Sequence, residues 1–288
     1  MPRDAKWVAV SAHRAEVFTV KCQHDKAKKV WKDILRACQA LYGKQDPRIV
    51  AALKALADSY EAQKNYAPAL KARKRVVRIL KTQLGKNDKD VLCAKIDAAR
   101  TLLKLRKLLW AEDMLWPVVS ALERSVGPED ETTLSAKTCL AQVLHAQQQD
   151  AEVEPLIDEV LTAYFRSNIC SEVHIIEPLK LFASVCFCKG EQEAGLQVMR
   201  EVLDTHKRVF GEDHIATYEA TYDLAEYCCK VEKYHEAEDL FGRVTHAYAA
   251  FFGEGHAKTE EAKKQQSFAM KELRKDPEVD LFIELGIV

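Results

Sequence analysis

The residue types that most often carry out chemistry, histidine, cysteine and the carboxylates, form no catalytic or metal-binding pattern in this sequence. None of the nine histidines forms a His-x-x-x-His or His-Glu-x-x-His pair, the spacings that bring two metal ligands to one face of a helix. The Cys186-Phe187-Cys188 and Cys228-Cys229 stretches lack the Cys-x-x-Cys spacing of zinc sites. Because there is also no glycine-rich phosphate loop, the sequence predicts a protein that is not an enzyme and that binds neither a metal nor a cofactor.

The cysteine usage and the apolar segments indicate a compartment. The nine cysteines are odd in number, and most lie within predicted helices, which favours buried free thiols in a reducing environment over disulfides. Residues 1–10 show no apolar segment followed by a small-residue cleavage site, so we expect no secretion signal. No apolar run reaches the roughly 18 residues that a membrane helix needs. These features predict a cytoplasmic protein that does not bind a membrane.

Small and branched side chains recur along the chain at a fixed interval of 42 residues. One column of this repeat is alanine in every repeat: Ala15, Ala57, Ala99, Ala141, Ala183 and Ala225. A second column holds residues no larger than valine: Ala27, Ala69, Ala111, Val153, Gly195 and Ala237. A third column, seven residues further on, holds branched aliphatic residues: Ile34, Val76, Val118, Val160, Val202 and Val244.

These columns predict a repeated pair of antiparallel helices. Small residues let two helix axes approach closely, and an aliphatic side chain seven positions later on the same face fills the seam between them. A single pair cannot bury both of its faces, so neighbouring pairs must stack. We therefore expect an all-α protein, an α-solenoid of about six antiparallel helix pairs with a C-terminal capping helix.

A single solenoid domain is predicted to span residues 1–276, followed by a C-terminal tail at residues 277–288. The tail is apolar with spaced acidic residues; it either folds back onto the cap, which we favour, or docks onto a partner. Residues 167–170 replace the glycine turn of the other repeats and predict a longer or looser connection. The repeats and the cap lie near residues 1–43, 44–85, 86–127, 128–169, 170–211, 212–253 and 254–276.

Turn residues mark the helix ends. Glycines at the repeat ends, such as Gly43 and Gly85, supply the backbone freedom that a helix C-cap needs. Asp46 and Asp88 each precede a predicted first helix and are expected to cap it, because their short side chains can accept from its free amides. Pro117 falls in the interior of a second helix, where a missing hydrogen bond costs about 3 kcal/mol and predicts a bend.

The net charge of −1 conceals an asymmetry, since residues 1–127 carry a net charge of +14 and residues 128–288 a net charge of −15. This asymmetry favours an acidic partner, or contact between copies through oppositely charged ends. One predicted helix of the basic half carries a run of cations: Lys71, Arg73, Lys74, Arg75, Arg78 and Lys81. We interpret this run as a solvated outer face, with a phosphate or acidic-tail site as the alternative. No aromatic residues are interleaved with it, which argues against nucleic acid as the partner.

Several short patterns resemble tetratricopeptide repeats, in the 42-residue form found in kinesin light chains. They are Leu56-Ala57-x-x-Tyr60, Asn65-Tyr66-x-x-Ala69, Leu224-Ala225, Tyr234-x-Glu236-Ala237-Glu238 and Phe210-Gly211-x-x-His214. The resemblance covers residues 1 to about 275. It implies a right-handed superhelix with a concave groove, lined by the first helix of each pair, that receives an extended or helical peptide.

On the first helix of each pair, four positions lie on one face and would line the implied groove. They are the third residue before the repeat alanine and the first, fourth and fifth residues after it. The projected residues that we expect to contact a partner are Lys54, Asp58, Glu61, Arg100, Lys104, Gln142, His145, Lys180, Phe187, Tyr222 and Glu226. The sequence thus predicts a protein-interaction scaffold or adaptor that binds a partner peptide in the groove, with an acidic partner favoured at the basic N-terminal half. The alternative is a structural assembly element that self-associates through its oppositely charged ends.

Overall fold

A computed structural model describes residues 5–20, 23–43, 45–46, 48–166 and 172–275. This part of the chain forms thirteen α-helices, one short 3-10 helix at Glu172–Ile175 and no strand. The α-helices are α1 (Ala5–Val20), α2 (His24–Tyr42), α3 (Arg48–Ala62), α4 (Tyr66–Leu84), α5 (Lys89–Lys104), α6 (Leu108–Ser125), α7 (Glu131–Ala146), α8 (Asp150–Arg166), α9 (Ile176–Cys188), α10 (Gln192–Phe210), α11 (Ile215–Lys230), α12 (Tyr234–Phe252) and α13 (Ala257–Leu273).

The chain divides into two compact units, an N-terminal unit of residues 1–156 and a C-terminal unit of residues 157–288, with the boundary inside α8. In the N-terminal unit each helix from α1 to α6 packs against the helix that follows it, and α5 also contacts α7. In the C-terminal unit α9 to α13 pack in the same consecutive order. The predicted all-α solenoid of stacked helix pairs is confirmed, while the assignment of residues 1–276 to one domain stays a prediction.

The three repeat columns form the core of the helix pairs. All six alanines of the first column are fully buried, from Ala15 to Ala225. The branched aliphatics of the third column, from Ile34 to Val244, are at most 2% exposed. Small residues thus lie where two helices approach closely and larger ones fill the space beside them, as the 42-residue spacing predicts.

The predicted caps are present at the C-terminal ends of second helices and at the N-terminal starts of first helices. Gly43 and Gly85 have φ near +90°, a conformation that side chains with a Cβ rarely adopt, and their N–H groups donate to the preceding turn. The Asp88 carboxylate accepts from the Asp90 amide at 2.9 Å, and Asp46 accepts from the Arg48 amide at the same distance. These contacts confirm both aspartates as partners of free amides at helix starts.

A second recurring turn lies inside each pair, between its first and second helix. It places one residue in the left-handed region every 42 positions: Lys64, Arg106, Gln148, Gly190 and Glu232, with φ between +56° and +83°. Only one of these five residues is glycine, so the sequence carries no turn signal at this column. The amide after Lys64, that of Asn65, donates back to the Tyr60 carbonyl at 2.9 Å and closes the turn.

Three details correct or qualify the sequence expectations. The helix α6 runs continuously from Leu108 to Ser125 through Pro117, and the bend expected there stays a prediction. Cys188 is exposed, unlike the buried thiols expected. The predicted loose connection at 167–170 and the tail at 277–288 lie outside the described residues. None of the described helices combines the length and apolar composition needed to cross a bilayer.

Candidate functional site

Successive first helices of the N-terminal unit lie side by side and share hydrogen bonds. Thr101 of α5 donates through Oγ1 to Glu61 of α3 at 2.6 Å, and Lys104 Nζ donates to the same carboxylate at 2.9 Å. The partners are 40 and 43 residues apart, close to one repeat, so equivalent faces of α3 and α5 are adjacent. We call the face formed by Lys54, Asp58 and Glu61 of α3, Arg73 of α4, and Asp97, Arg100, Thr101 and Lys104 of α5 the N-terminal face.

Arg73 organises the centre of this face. Its side chain is only 13% exposed and reaches three carboxylates, those of Asp58 and Glu61 at 3.0 Å and that of Asp97 at 3.5 Å. The sequence interpretation placed Arg73 on a solvated outer face, which is wrong for this residue. Its position four residues after the buried Ala69 was the available signal, because residues four apart lie on the same side of a helix.

The ionisation of the N-terminal face reflects burial and pairing. Burial raises the pKa of Asp58 and outweighs the opposing charge of Arg73. Burial would also raise the pKa of Glu61, but hydrogen bonds from Thr101 and Lys104 and the charge of Arg73 hold that pKa below its usual value. Glu61 is therefore a firmly ionised anchor that holds the neighbouring cations in place.

The predicted basic residues of this face differ in how far they are paired. Arg100 donates to Ser135 Oγ at 2.8 Å and lies 3.8 Å from the Asp97 carboxylate, while Lys104 is paired with Glu61. Lys54 is exposed and forms no ion pair within the described chain. It lines an open pocket of about 180 Å³ together with Asp58, Arg73 and Asp97. The face is thus close to charge balance, with Lys54 as its available cation.

Two predicted residues lie apart from this cluster on α7. His145 Nδ1 lies 2.6 Å from Asp150 Oδ1 and spans the turn that follows α7. Gln142 is half-buried one turn earlier on the same helix. His145 is placed to stabilise a helix connection, and the structure does not bring it into the Arg73 cluster.

The first helices of the C-terminal unit are also adjacent. Lys180 of α9 pairs with Asp223 of α11 at 2.5 Å, and Lys258 of α13 pairs with Glu219 of α11 at 2.5 Å. These four side chains line an open pocket of about 380 Å³ with Tyr222, Tyr248 and Glu261. We call this the C-terminal face. It presents tyrosine rings beside paired charges, an arrangement suited to holding one side chain of an extended peptide.

Tyr222 and Glu226 extend the C-terminal face along α11. Burial, and then the negative charge of Glu226, raises the pKa of Tyr222 to about 12. Burial, and then the charge of Asp223, raises the pKa of Glu226. The Tyr222 ring meets the Phe241 ring edge-on, with 5.3 Å between centroids. This face is therefore more acidic and more aromatic than the N-terminal face.

Phe187, predicted from its repeat position, lies on α9 beside residues that sequence reasoning did not single out. Its ring packs edge-on against Tyr227, with centroids 4.4 Å apart. Lys230 Nζ lies 4.5 Å from the Tyr227 centroid and 5.9 Å from the Phe187 centroid. A cation stacked on two aromatic rings is a recurring stabilising arrangement. Phe187 therefore packs within a cluster with Tyr227 and Lys230 and is not a freely exposed side chain.

Comparison with known proteins identifies the repeat. Two family models described as tetratricopeptide repeat match the chain, one over residues 7–82 and one over residues 183–216. A search of curated proteins found no significant match. The matched segments lie in the N-terminal and C-terminal units respectively, so both units carry the repeat.

Solved structures share the fold at low sequence identity. Kinesin light chain TPR-like repeats of Podosopora anserina, from a protein described as putative, superpose with a TM-score of 0.54 at 18% identity, covering 71% of this chain and 96% of that one. Aspartyl phosphate phosphatase F of Bacillus subtilis gives a TM-score of 0.59 at 13% identity, with coverage of 91% and 69%. A Rap protein in complex with Competence and Sporulation Factor gives 0.56 at 10% identity, with coverage of 92% and 75%.

Proposed function

We propose that this chain, whose residues 7–82 and 183–216 match tetratricopeptide-repeat models and whose fold is similar to kinesin light chain repeats, is a non-catalytic scaffold that binds segments of partner proteins. The observation that supports this proposal is the side-by-side arrangement of first helices, shown by hydrogen bonds from Thr101 to Glu61 and from Lys180 to Asp223. This arrangement leaves polar and aromatic side chains of successive repeats on one face within each unit. A structurally similar Rap protein binds Competence and Sporulation Factor, which is consistent with ligand binding by this fold.

The N-terminal face favours an acidic segment in this proposal. Lys54, Arg73, Arg100 and Lys104 carry four positive charges against three from Asp58, Glu61 and Asp97, and Lys54 has no partner carboxylate. An acidic side chain that enters the 180 Å³ pocket meets Lys54 without first breaking an ion pair. The preference therefore depends on Lys54 more than on the paired Lys104.

The proposal also includes a cytoplasmic location. None of the seven described cysteines is part of a disulfide, and four of them are buried. Buried free thiols persist most readily in a reducing compartment. Cell fractionation with an antibody to the chain tests this part separately from binding.

A phage-displayed library of twelve-residue peptides tests the scaffold proposal. Panning on the full chain should enrich acidic peptides whose binding is lost in Lys54→Glu, or aromatic and basic peptides whose binding is lost in Tyr222→Ala. Lys71→Glu is the matched control, because Lys71 is exposed on α4 and lies two residues, or about 200° of helix rotation, from Arg73. Enriched peptides that bind wild type, Lys54→Glu and Tyr222→Ala equally well would reject the two faces as binding sites.

The charge asymmetry of +14 against −15 favours a second candidate, self-association through oppositely charged parts of two copies. Light scattering across ionic strength distinguishes the two. Oligomers that dissociate between about 50 mM and 500 mM salt favour assembly, since screening weakens contacts between exposed charges. A monomer at every salt concentration favours the scaffold.

A further inference from the structure

A second open pocket of about 470 Å³ lies in the N-terminal unit between α4, α5 and α6. Lys74 of α4, Lys95 of α5 and Trp110 of α6 line it, and Met114 and Pro117 form its apolar wall. None of these residues belongs to the N-terminal face. The pocket is therefore a separate feature of the unit.

The helix α5 separates this pocket from the N-terminal face. Lys95 and Leu102, which line the pocket, are seven residues apart and share one stripe of the helix. Asp97 and Lys104, which belong to the N-terminal face, form another stripe of the same spacing. At 100° per residue the two stripes are about 200° apart, so they lie on opposite sides of α5.

The rim of the pocket carries three lysines against one carboxylate, that of Asp113, which also lines the pocket. Lys107 Nζ lies 4.7 Å from the Trp110 ring centroid, and Lys74 Nζ lies 5.7 Å from it. Within the described chain, Lys74, Lys95 and Lys107 form no ion pair. Burial, and then the nearby charges of Lys81 and Lys86, lowers the pKa of Lys95.

The interior of the pocket is apolar and includes an exposed indole. Trp110 is 58% exposed although it is one of the largest apolar side chains of the unit. Pro117 has no N–H to give to the carbonyl of Asp113, four residues earlier, and both residues line the pocket. The pocket thus combines an aromatic platform, a basic rim and a backbone carbonyl that lacks its helical donor.

We infer that this pocket binds an acidic segment of a partner protein that carries a large apolar side chain. The apolar side chain would lie on Trp110, Met114 and Pro117, and flanking carboxylates would pair with Lys74 and Lys107. A free N–H of the segment can donate to the Asp113 carbonyl. Aromatic residues within a polar rim are common anchors of protein interfaces, and the unpaired lysines supply the charge complementarity.

Nucleic acid fits the same charge less well. A single-stranded nucleic acid needs a basic groove that follows its backbone and several aromatic platforms for successive bases. The described pocket offers one platform, Trp110, beside the apolar wall of Met114 and Pro117. An acidic polypeptide is therefore the occupant to which the geometry points.

Fluorescence anisotropy of a labelled peptide, Gly-Glu-Asp-Leu-Phe-Asp-Glu-Gly, with the full chain tests the inference. Wild type should bind it saturably, and Trp110→Ala and Lys74→Glu should each weaken binding at least 10-fold. Lys29→Glu, an exposed lysine of α2 outside both sites, should change binding less than 2-fold. A peptide with Gln and Asn in place of Glu and Asp should bind at least 10-fold more weakly, because it cannot pair with the lysines.

Four results would overturn the inference. They are no saturable binding below about 1 mM, equal binding by Trp110→Ala, equal binding of the uncharged peptide, and tighter binding of a twelve-nucleotide single-stranded DNA at the same salt concentration. Oligomers of the chain alone that dissociate on Lys74→Glu would assign the pocket to a second copy instead of a partner protein. Circular dichroism of both variants confirms folding, which we expect to persist because Trp110 and Lys74 are exposed.

Discussion

Replacing Gly195 by alanine should destabilise the C-terminal unit, although the same change stabilises most helix interiors. Gly195 lies within α10 in the column that is alanine in four of the six repeats. A Cβ at Gly195 would lie 2.6 Å from Cδ2 and Cε2 of the Phe187 ring and 3.1 Å from the Ala183 carbonyl oxygen. The ring occupies the space that the alanine methyl needs, so one of the two must move.

Two opposing contributions determine how much Gly195→Ala changes the free energy of unfolding. Alanine in place of glycine gains about 1 kcal/mol of helix stability, whereas overpacking a filled site costs typically 1–3 kcal/mol. Phe187 cannot move freely, because its ring packs on Tyr227 at 4.4 Å. We expect a net loss of about 1 kcal/mol, which lowers the unfolding midpoint by roughly 2–4 °C.

Urea and thermal denaturation followed by circular dichroism measure this effect in a double-mutant cycle. In a Phe187→Ala background the obstacle is gone, so Gly195→Ala should reverse sign and stabilise by about 1 kcal/mol, a coupling of about 2 kcal/mol. Gly242→Ala is the matched control, since its Cβ would meet only the flexible end of Gln266, at 3.1 Å. Stabilisation by Gly195→Ala in the wild-type background, or an equal effect in both backgrounds, would refute the steric explanation.

Three further predictions concern capping, a buried charge and thiol reactivity. His214 Nδ1 accepts a hydrogen bond from the Ala216 amide at the start of α11. In urea denaturation, His214→Ala should therefore lower the free energy of unfolding by about 1 kcal/mol, and His214→Asp should retain most of it. Equal stability of the two variants would contradict a capping role. Glu123→Gln should destabilise by about 1–2 kcal/mol, because it weakens the charge-assisted bond from Lys137, which is 1% exposed and lies 2.8 Å from Glu123. An unchanged thermal melt would contradict this. At pH 8 iodoacetamide should modify exposed Cys188 long before buried Cys228, because burial raises the pKa of the Cys228 thiol to about 12. Similar modification rates of the two cysteines, measured by peptide mass spectrometry, would contradict the described burial.

The repeat columns could be predicted from the sequence because packing imposes them. Ala57 and Ala69 lie where two helices approach, and any larger side chain there would separate the axes. The same contact recurs in each pair, so the same residue size recurs every 42 positions. Asp88 was predictable for a similar reason, since each first helix presents free amides at its start.

Other features could not be predicted, because different residues satisfy the same physical need. His214 and His256 accept amides at helix starts as Asp88 does, and their rings also stack on Phe210 and Phe252. Their recurrence was visible in the sequence, but imidazole is a rare cap. The left-handed inner turns carry residues such as Lys64 instead of glycine, so no residue type marks them.

The candidate faces were hardest to predict because no packing contact repeats there. Arg73 occupies the centre of a three-carboxylate cluster that holds residues of two repeats, while sequence reasoning assigned it, with its neighbours, to a solvated face. The charge of a run of cations is readable from sequence, but the pairing of each one depends on which residues the next repeat brings near. Pairing is what decides the available charge, since Lys104 is held by Glu61 while Lys54 is not.

The pairing of the basic residues limits how much affinity the N-terminal face can gain from charge alone. Exposed ion pairs contribute about 0–1 kcal/mol each, and among the described cations of the N-terminal face Lys54 alone forms no ion pair. An acidic segment bound by Lys54 alone would therefore gain at most about fivefold in affinity over a neutral segment, since a factor of ten needs about 1.4 kcal/mol. Greater discrimination must come from side chains that fill pockets, such as those beside Tyr222 and Trp110. Partner selection by this protein should accordingly depend more on the aromatic residues of a segment than on its net charge.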